Sequence, residues 1–321
     1  MIRDTPSTIR CAVVTGGTDG IGREIALGLA QAGSRVIVVG RGRARGEAAQ
    51  RWLRESAGNR NVEFLAADLG LVREVDRLAG EILRRFPRLD DLVHSAGVVL
   101  GRRELTPEGV EVNFAVNYLA RFALTMRLLP MLEASGASGR AAKILLVSGA
   151  ARNGRVRFDD VNLSRGFSTL RAVWQSCCAN DLFAVELARR LSRACGAARP
   201  HVMVNCLKIG VVKTGIRRNF PRWMRWAVPL LADPLLAQTP ADAAESALKL
   251  LLDEAFESES GQLWSKIRSF RRVSPEARVA DPAERRRLWE LSEAMTDAAR
   301  GGPHRDPLLE RERGGRTLRD P

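Results

Sequence analysis

Short β-branched runs alternate with longer helical patterns along most of this chain, and that alternation leaves few folds open. The first run, Cys11-Ala12-Val13-Val14-Thr15, precedes a helical pattern near Ile21 to Ala32 and then Val36-Ile37-Val38-Val39. Strand, helix, strand is the unit that joins parallel strands by a crossover. The pattern continues with a helix at Arg45 to Ala57, a strand at Val62 to Ala66, a helix at Leu71 to Arg85 and a strand at Leu92-Val93-His94. A long helix near Val110 to Leu132, the strand Lys143 to Val147, a helix from about Leu170 to Ala194 and the strand Val202 to Leu207 follow. Such a rhythm predicts an α/β fold, a doubly wound parallel sheet with helices on both faces. Beyond Thr214 it breaks into an Arg- and Trp-rich stretch, then further helices and a last apolar piece near Leu263.

Composition narrows the classes. Hydrophobic residues make up 45% and charged residues 27% of 321, which is globular and excludes a chain disordered throughout. No apolar run approaches the ~18 residues of a membrane span, and Met1-Ile2-Arg3-Asp4 opens no apolar leader, so the expected location is cytoplasmic. Five irregularly spaced cysteines give neither a disulfide framework nor a zinc pair and read as reduced thiols, with no metal site. The net charge of +14 suggests a nucleic-acid partner until its distribution is read. Only five of the 51 basic residues are lysine, and the arginines are spread from Arg3 to Arg319, many beside acids. No nucleic-acid partner is predicted. One domain is expected over residues 1–299, with a substrate loop at about 211–240 and a disordered Arg/Gly-rich tail at 300–321.

Directly after the first strand stands Thr15-Gly16-Gly17-Thr18-Asp19-Gly20-Ile21-Gly22, opening a helix. Glycines there permit a tight turn and close approach of the backbone to a pyrophosphate, whose charge the free amides of a helix start favour. Gly16, Thr18, Asp19, Gly20, Ile21 and Gly22 are therefore candidate phosphate-binding residues. The Gly-x-x-x-Gly-x-Gly spacing resembles the short-chain dehydrogenase/reductase family, and other landmarks fall in order. Asp68-Leu69 resembles that family's adenine-contacting pair. His94-Ser95-Ala96-Gly97 resembles its Asn-Asn-Ala-Gly turn with the first two residues changed, so Ser95, Ala96 and Gly97 join the cofactor set. Asn117 matches the helix asparagine of the catalytic tetrad. Ile209-Gly210 with Thr214 resembles the Pro-Gly-x-x-x-Thr that contacts the nicotinamide amide, the proline being lost.

The nearest subgroup resembles the retinol dehydrogenases, on Glu104-Leu105-Thr106-Pro107-Glu108-Gly109, Glu186-Leu187-Ala188-Arg189-Arg190-Leu191 and Arg287-Leu288-Trp289-Glu290-Leu291-Ser292. The likeness runs from about Arg10 to Asp297. It implies a single Rossmann-type sheet, a hydrophobic small-molecule substrate, and a homodimer through the long helices near 110–132 and 170–194. At the end of the second strand an NAD enzyme places an acid for the ribose hydroxyls, whereas an Arg accommodates the extra phosphate of NADP. This chain has Gly40-Arg41-Gly42-Arg43 there, so NADP(H) is expected and NAD(H) is the weaker choice; the competing reading of Arg41 is a solvated basic turn.

The catalytic resemblance then fails. The family pairs a proton-transferring Tyr with a Lys four residues later on one helix face, beside a Ser that polarises the carbonyl. The single tyrosine here is Tyr118, with Phe122 four residues on. Alignment on Asn180 and Glu186-Leu187-Ala188-Arg189 puts Val173 where Tyr belongs and Cys177 where Lys belongs; a slip by one gives Trp174 and Cys178. The serine position falls on Gly149, with Ser148 one place early. Of the tetrad only Asn117 is kept. Consecutive helical side chains diverge by about 100°, so Tyr118 is expected to miss the pocket that Asn117 faces, and Cys177, without a flanking base, is expected to stay a buried thiol. His94 is expected to shape the nicotinamide pocket.

Two readings stand. One is an NADP(H)-dependent enzyme, an atypical oxidoreductase whose proton is handled by water, substrate or another side chain, or else a non-redox enzyme running a cyclisation or isomerisation in the old pocket. The other is an inactive NADP-binding pseudoenzyme or scaffold. The aromatic and arginine cluster at 217–226 reads as a lid over a hydrophobic substrate, as a peripheral contact with anionic lipid, or as a helix packed on the body.

Overall fold

The structure is a computed structural model that describes residues 9–150, 153–195, 200–210, 212, 238–267 and 269–301. The expected rhythm is present: β1 (Cys11–Thr15), α1 (Gly20–Gln31), β2 (Arg35–Gly40), α2 (Arg43–Ala57), β3 (Val62–Ala66), α3 (Val72–Arg85) and β4 (Asp91–His94). Next come a short α4 (Val112–Phe114), a π-helical turn (Ala115–Leu119), α5 (Ala120–Ala137), β5 (Ala142–Gly149), α6 (Thr169–Ala194) and β6 (Val202–Ile209). The later described elements are α7 (Pro240–Leu252), β7 (Gln262–Lys266), β8 (Phe270–Val273), α8 (Ala277–Ala280) and α9 (Pro282–Ala299).

The strands form one sheet in the order β3-β2-β1-β4-β5-β6-β7-β8. All five residues of β1 are buried, because helices cover both faces of a parallel sheet and a central strand has no solvent side. One core layer holds Val13, Ile37 and Leu92 against α3, α5 and α6; the other holds Val14, Val38 and Val93 against α1 and α7. Alternate residues of each strand feed opposite layers, which is the period-2 geometry of a strand.

Two features depart from the sequence reading. The sheet is not wholly parallel: β8 pairs antiparallel with β7, from Leu263 opposite Val273 to Lys266 opposite Phe270. Its Arg271 and Arg272 are exposed, as suits an edge strand, and the run was too short and too charged to stand out as a strand. The expected single helix from 110 to 132 is divided by the π-helical turn and runs on to Ala137. A π-turn inserts one residue into the helical ladder and commonly marks functional positions. Here it carries Asn117.

α9 packs on α5 and α6, the two helices that family resemblance assigned to a homodimer. Trp289 meets Phe122 edge-on at 5.2 Å and Phe183 at 6.1 Å, and Arg190 stacks over its ring at 3.9 Å. Arg285 reaches Glu186, and Arg300 grips Asp76 of α3 at 2.7 Å.

Candidate active site

The chain winds outward from β1 to β2 and β3, then crosses back to start β4 on the other flank of β1. At such a switch point the loops after the two strands part and leave a crevice at their carboxyl ends. A cleft of ≈ 690 Å³ occupies that place. Thr15, the last residue of β1, ties the two sides: its hydroxyl donates to Val93 O at 3.3 Å and accepts from Ser95 N at 3.2 Å.

Gly16 sits at φ +70, and a Cβ there would stand 2.7 Å from Ala96 Cα, so no side chain can enter where the glycine loop meets the turn after β4. A Cβ on Gly22 would overlap the Gly16 carbonyl, which is why the helix can start so close to the strand. Asp19 caps α1, accepting from Gly20 N at 2.7 Å.

Every described residue of the expected cofactor set lines this cleft: Gly16, Thr18, Asp19, Gly20, Ile21, Gly22, Arg41, Asp68, Leu69, Ser95, Ala96, Gly97 and Gly210. Thr214 and most of the expected substrate loop, including the cluster at 217–226, lie outside the described residues, as does most of the expected tail. Arg41 and Arg45 are exposed beside Gly40, Arg45 one helical turn beyond Arg41. Asp68 folds its own turn, accepting from Gly70 N at 2.9 Å.

The other half of the cleft lies over β4, β5 and β6. Asn117, Gly149, Val173 and Cys177 all line it. A Cβ on Gly149 would meet Cys177 Sγ at 3.2 Å, so strand end and helix are in direct contact there. The slipped alignment does not fit: Trp174 is 40% exposed, Cys178 is buried in the core beyond α6, and neither lines the cleft. The Asn117 side chain clamps the backbone of Val98, accepting from its N and donating to its O, both at 2.8 Å. The main-chain carbonyl of Asn117 accepts from Asn180 Nδ2 at 3.0 Å.

Tyr118 turns away as its spacing predicts. It is fully buried, and its hydroxyl meets Ser292 Oγ of α9 at 2.6 Å. Burial pushes its pKa up beyond the usual phenol range, so it holds its proton. The Cys177 thiol is likewise raised, burial outweighing the Ser148 hydroxyl and Gly149 amide beside it. Cys178 is pushed up to about 12, also by burial. His94 corrects an expectation: it does not line the cleft but bonds Thr125 of α5 at 2.9 Å from Nε2. Burial, with Arg121 nearby, holds its pKa well down, and the ring is neutral.

The sequence reading passed over Arg121 and used Asn180 only as an alignment anchor. Both line the cleft, and Arg121 stands four residues beyond Asn117, the spacing that places two side chains on one helix face. That spacing was the available signal; an abundance of arginines elsewhere hid it.

The profile of the family described as short chain dehydrogenase matches residues 10–158. The bovine protein "Dehydrogenase/reductase SDR family member 13" is 37% identical over 298 residues, covering 91% of this chain and 74% of its own. Mouse retinol dehydrogenase 14 is 32% identical, covering 89% and 85%, and mouse polyprenol dehydrogenase 33%, covering 92% and 86%. Among solved structures, a Pseudomonas aeruginosa complex, RhlG with NADP, superposes with a TM-score of 0.62 at 25% identity, over 80% of this chain and 94% of that one. No described helix is long and apolar enough to cross a membrane. Seven parallel strands wound about a glycine turn, a cleft at their switch point and relatives matched along nine-tenths of the length place this chain in the short-chain dehydrogenase/reductase family, beside its retinol dehydrogenase-like members.

Proposed function

We propose that this chain binds NADP(H) in the switch-point cleft and acts as an atypical oxidoreductase on a hydrophobic small molecule, without a tyrosine acid. The observation that carries the reading is the split character of one continuous cleft: its β1 to β3 half keeps a phosphate-binding loop and a basic strand end, while its β4 to β6 half presents Gly149, Val173 and Cys177.

The residues present fit a dinucleotide. The cleft volume lies within the usual range for cofactor sites, about 300–1,000 Å³. Gly20, Ile21 and Gly22 bring the first amides of α1 to its wall, where a helix start favours a pyrophosphate. Arg41 and Arg45 offer forked donors to a 2′-phosphate, and no carboxylate follows β2 to repel one. The RhlG relative was solved with NADP, and relatives named for retinol and polyprenol support an apolar alcohol or carbonyl compound as substrate.

When bound, the cofactor supplies a hydride equivalent at the β4 to β6 half. The chain's own part there is to orient and to exclude water. Asn117 fixes the Val98 backbone, and Val173 gives an apolar wall. Tyr118, bound to Ser292, delivers no proton, and water, the substrate or another side chain handles it. A second reading, a dinucleotide-binding protein without turnover, is favoured by the raised Cys177 thiol, which leaves that wall without an acid near neutral pH. Titration of the purified protein with NADPH and NADH, followed by NADPH consumption with long-chain aldehydes and ketones, tests the proposal. Tight NADPH binding with slow turnover supports it; absence of NADPH binding overturns it.

A further inference from the structure

The β4 to β6 half of the cleft contains a buried cation with no carboxylate partner among the described residues. Arg121 projects from α5 and is 6% exposed. Its Nη2 donates to Ala96 O at 2.8 Å and its Nη1 to Val147 O at 2.8 Å, the carbonyls that follow β4 and end the core of β5. Asn180 Oδ1 is 3.5 Å from Nη1, and Nε has no hydrogen-bond partner among the described residues. The guanidinium is thus held by neutral oxygens at two strand ends.

Among the described residues nothing nearby cancels its charge. The groups that bear on it electrostatically are the thiols of Cys206 and Cys177, both raised by burial and therefore protonated near neutral pH. Asp181, one helical turn beyond Cys177, is committed to Lys208 at 2.6 Å. Burial lowers the arginine itself only to about 10, so it remains a cation at neutral pH. A buried charge held by carbonyls alone is costly, because dipoles replace only part of its hydration.

The location gives the charge a consequence. With the adenosine and phosphates on the β1 to β3 half, the nicotinamide half of the ligand must lie over β4 to β6, where Arg121 bonds both strand ends. We infer that Arg121 selects the redox form of the bound cofactor, admitting the neutral ring of NADPH and opposing the cationic ring of NADP+. This rests on the NADP(H) reading above. Two unit charges about 6–10 Å apart at an effective dielectric of about 20 repel enough to change an equilibrium constant roughly ten- to a hundredfold.

Three ligands that share every phosphate contact isolate this effect: NADPH, NADP+ and 2′-phospho-ADP-ribose, which lacks the ring. Calorimetric titration of the unaltered protein should show NADPH binding at least about tenfold more tightly than NADP+, with NADP+ no tighter than the ringless ligand. In Arg121→Met the gap should close to within about threefold through tighter NADP+, while 2′-phospho-ADP-ribose is unchanged; Arg121→Lys should keep the gap. Equal affinities of NADPH and NADP+ in the unaltered protein, or a gap that persists in Arg121→Met, overturn the inference. If Arg121→Met does not fold, the three-ligand order in the unaltered protein decides by itself. Failure of all three ligands to bind overturns the NADP(H) reading and this inference with it.

Discussion

The two halves of the cleft are built from the same parts, parallel strand ends and the turns that follow them, yet they carry different kinds of information. Over β1 to β3 the work is done by backbone: glycines without Cβ atoms, a capped helix start and a turn closed by Asp68. Over β4 to β6 it is done by side chains, and there Gly149, Val173 and Cys177 stand together with Arg121 and Asn180. Backbone requirements constrain residue type tightly, since at Gly16 a single added carbon meets the Ala96 main chain. Side-chain chemistry can be exchanged at fixed backbone, so the second half is free to change while the first is held.

The sharpest test of this contrast is to rebuild the second half on the first. Gly149→Ser, Val173→Tyr and Cys177→Lys together should raise NADPH-dependent ketone reduction by about 10²–10⁴-fold over the unaltered protein, the usual contribution of general acid catalysis. Each single change should do little, because such groups act as a unit. The serine's Cβ would stand 3.2 Å from the present sulfur, so the side chain at 177 must shift by a few tenths of an ångström to admit it. An unchanged rate in the folded triple variant would mean that the cleft no longer holds substrate and cofactor in register.

Gly20→Val attacks the other half. Gly20 is at φ +54 at the start of α1, where a β-branched residue is both strained and in the path of a pyrophosphate. NADPH affinity should fall by roughly a hundredfold or more, with stability lowered by only about 1–2 kcal/mol, as read by thermal melting. Retained affinity would show that this loop is not the phosphate cradle.

Arg41→Asp should reverse cofactor preference, weakening NADPH and improving NADH for a combined change of about ten- to a hundredfold in their affinity ratio. Arg45→Ala should weaken NADPH alone, by only a few-fold. A ratio insensitive to both would leave this strand end a solvated turn.

The smallest effect is expected at Tyr118, which belongs to neither half. Tyr118→Phe should leave turnover unchanged and cost about 1 kcal/mol, because Ser292 still donates to Leu288 O at 2.7 Å after losing the phenol. That corresponds to a melting shift of about 2 °C. Loss of turnover would make Tyr118 a relocated acid and overturn the reading that it delivers no proton.

The alternation of strands and helices was legible because a central parallel strand has no solvent face and reads as an unbroken apolar run, as Cys11 to Val14 and Val36 to Val39 do. The phosphate loop was legible for the same local reason: its glycines answer to a turn a few residues long. The emptiness of the Tyr-x-x-x-Lys position needed no structure, since a chain with one tyrosine, followed four residues on by Phe122, cannot contain the pair.

Contacts between distant segments decided the rest. Trp289 finds Phe122 and Phe183 across more than a hundred residues of chain, packing α9 on α5 and α6, a contact that no local pattern announces. β8 exists because β7 offers it an edge, not because Phe270-Arg271-Arg272-Val273 is strand-like by itself. His94 is in the turn that was expected to serve the pocket, yet it points into the core to Thr125. Arg121 is one arginine among dozens in the sequence, and only the convergence of Ala96 O and Val147 O on its guanidinium singles it out. Local backbone geometry and hydrophobic period are short-range properties, so the sequence by itself determines them. Which buried charge lies under which strand end is a long-range one, and only the folded chain, which brings residues 96, 121, 147 and 180 together, decides it.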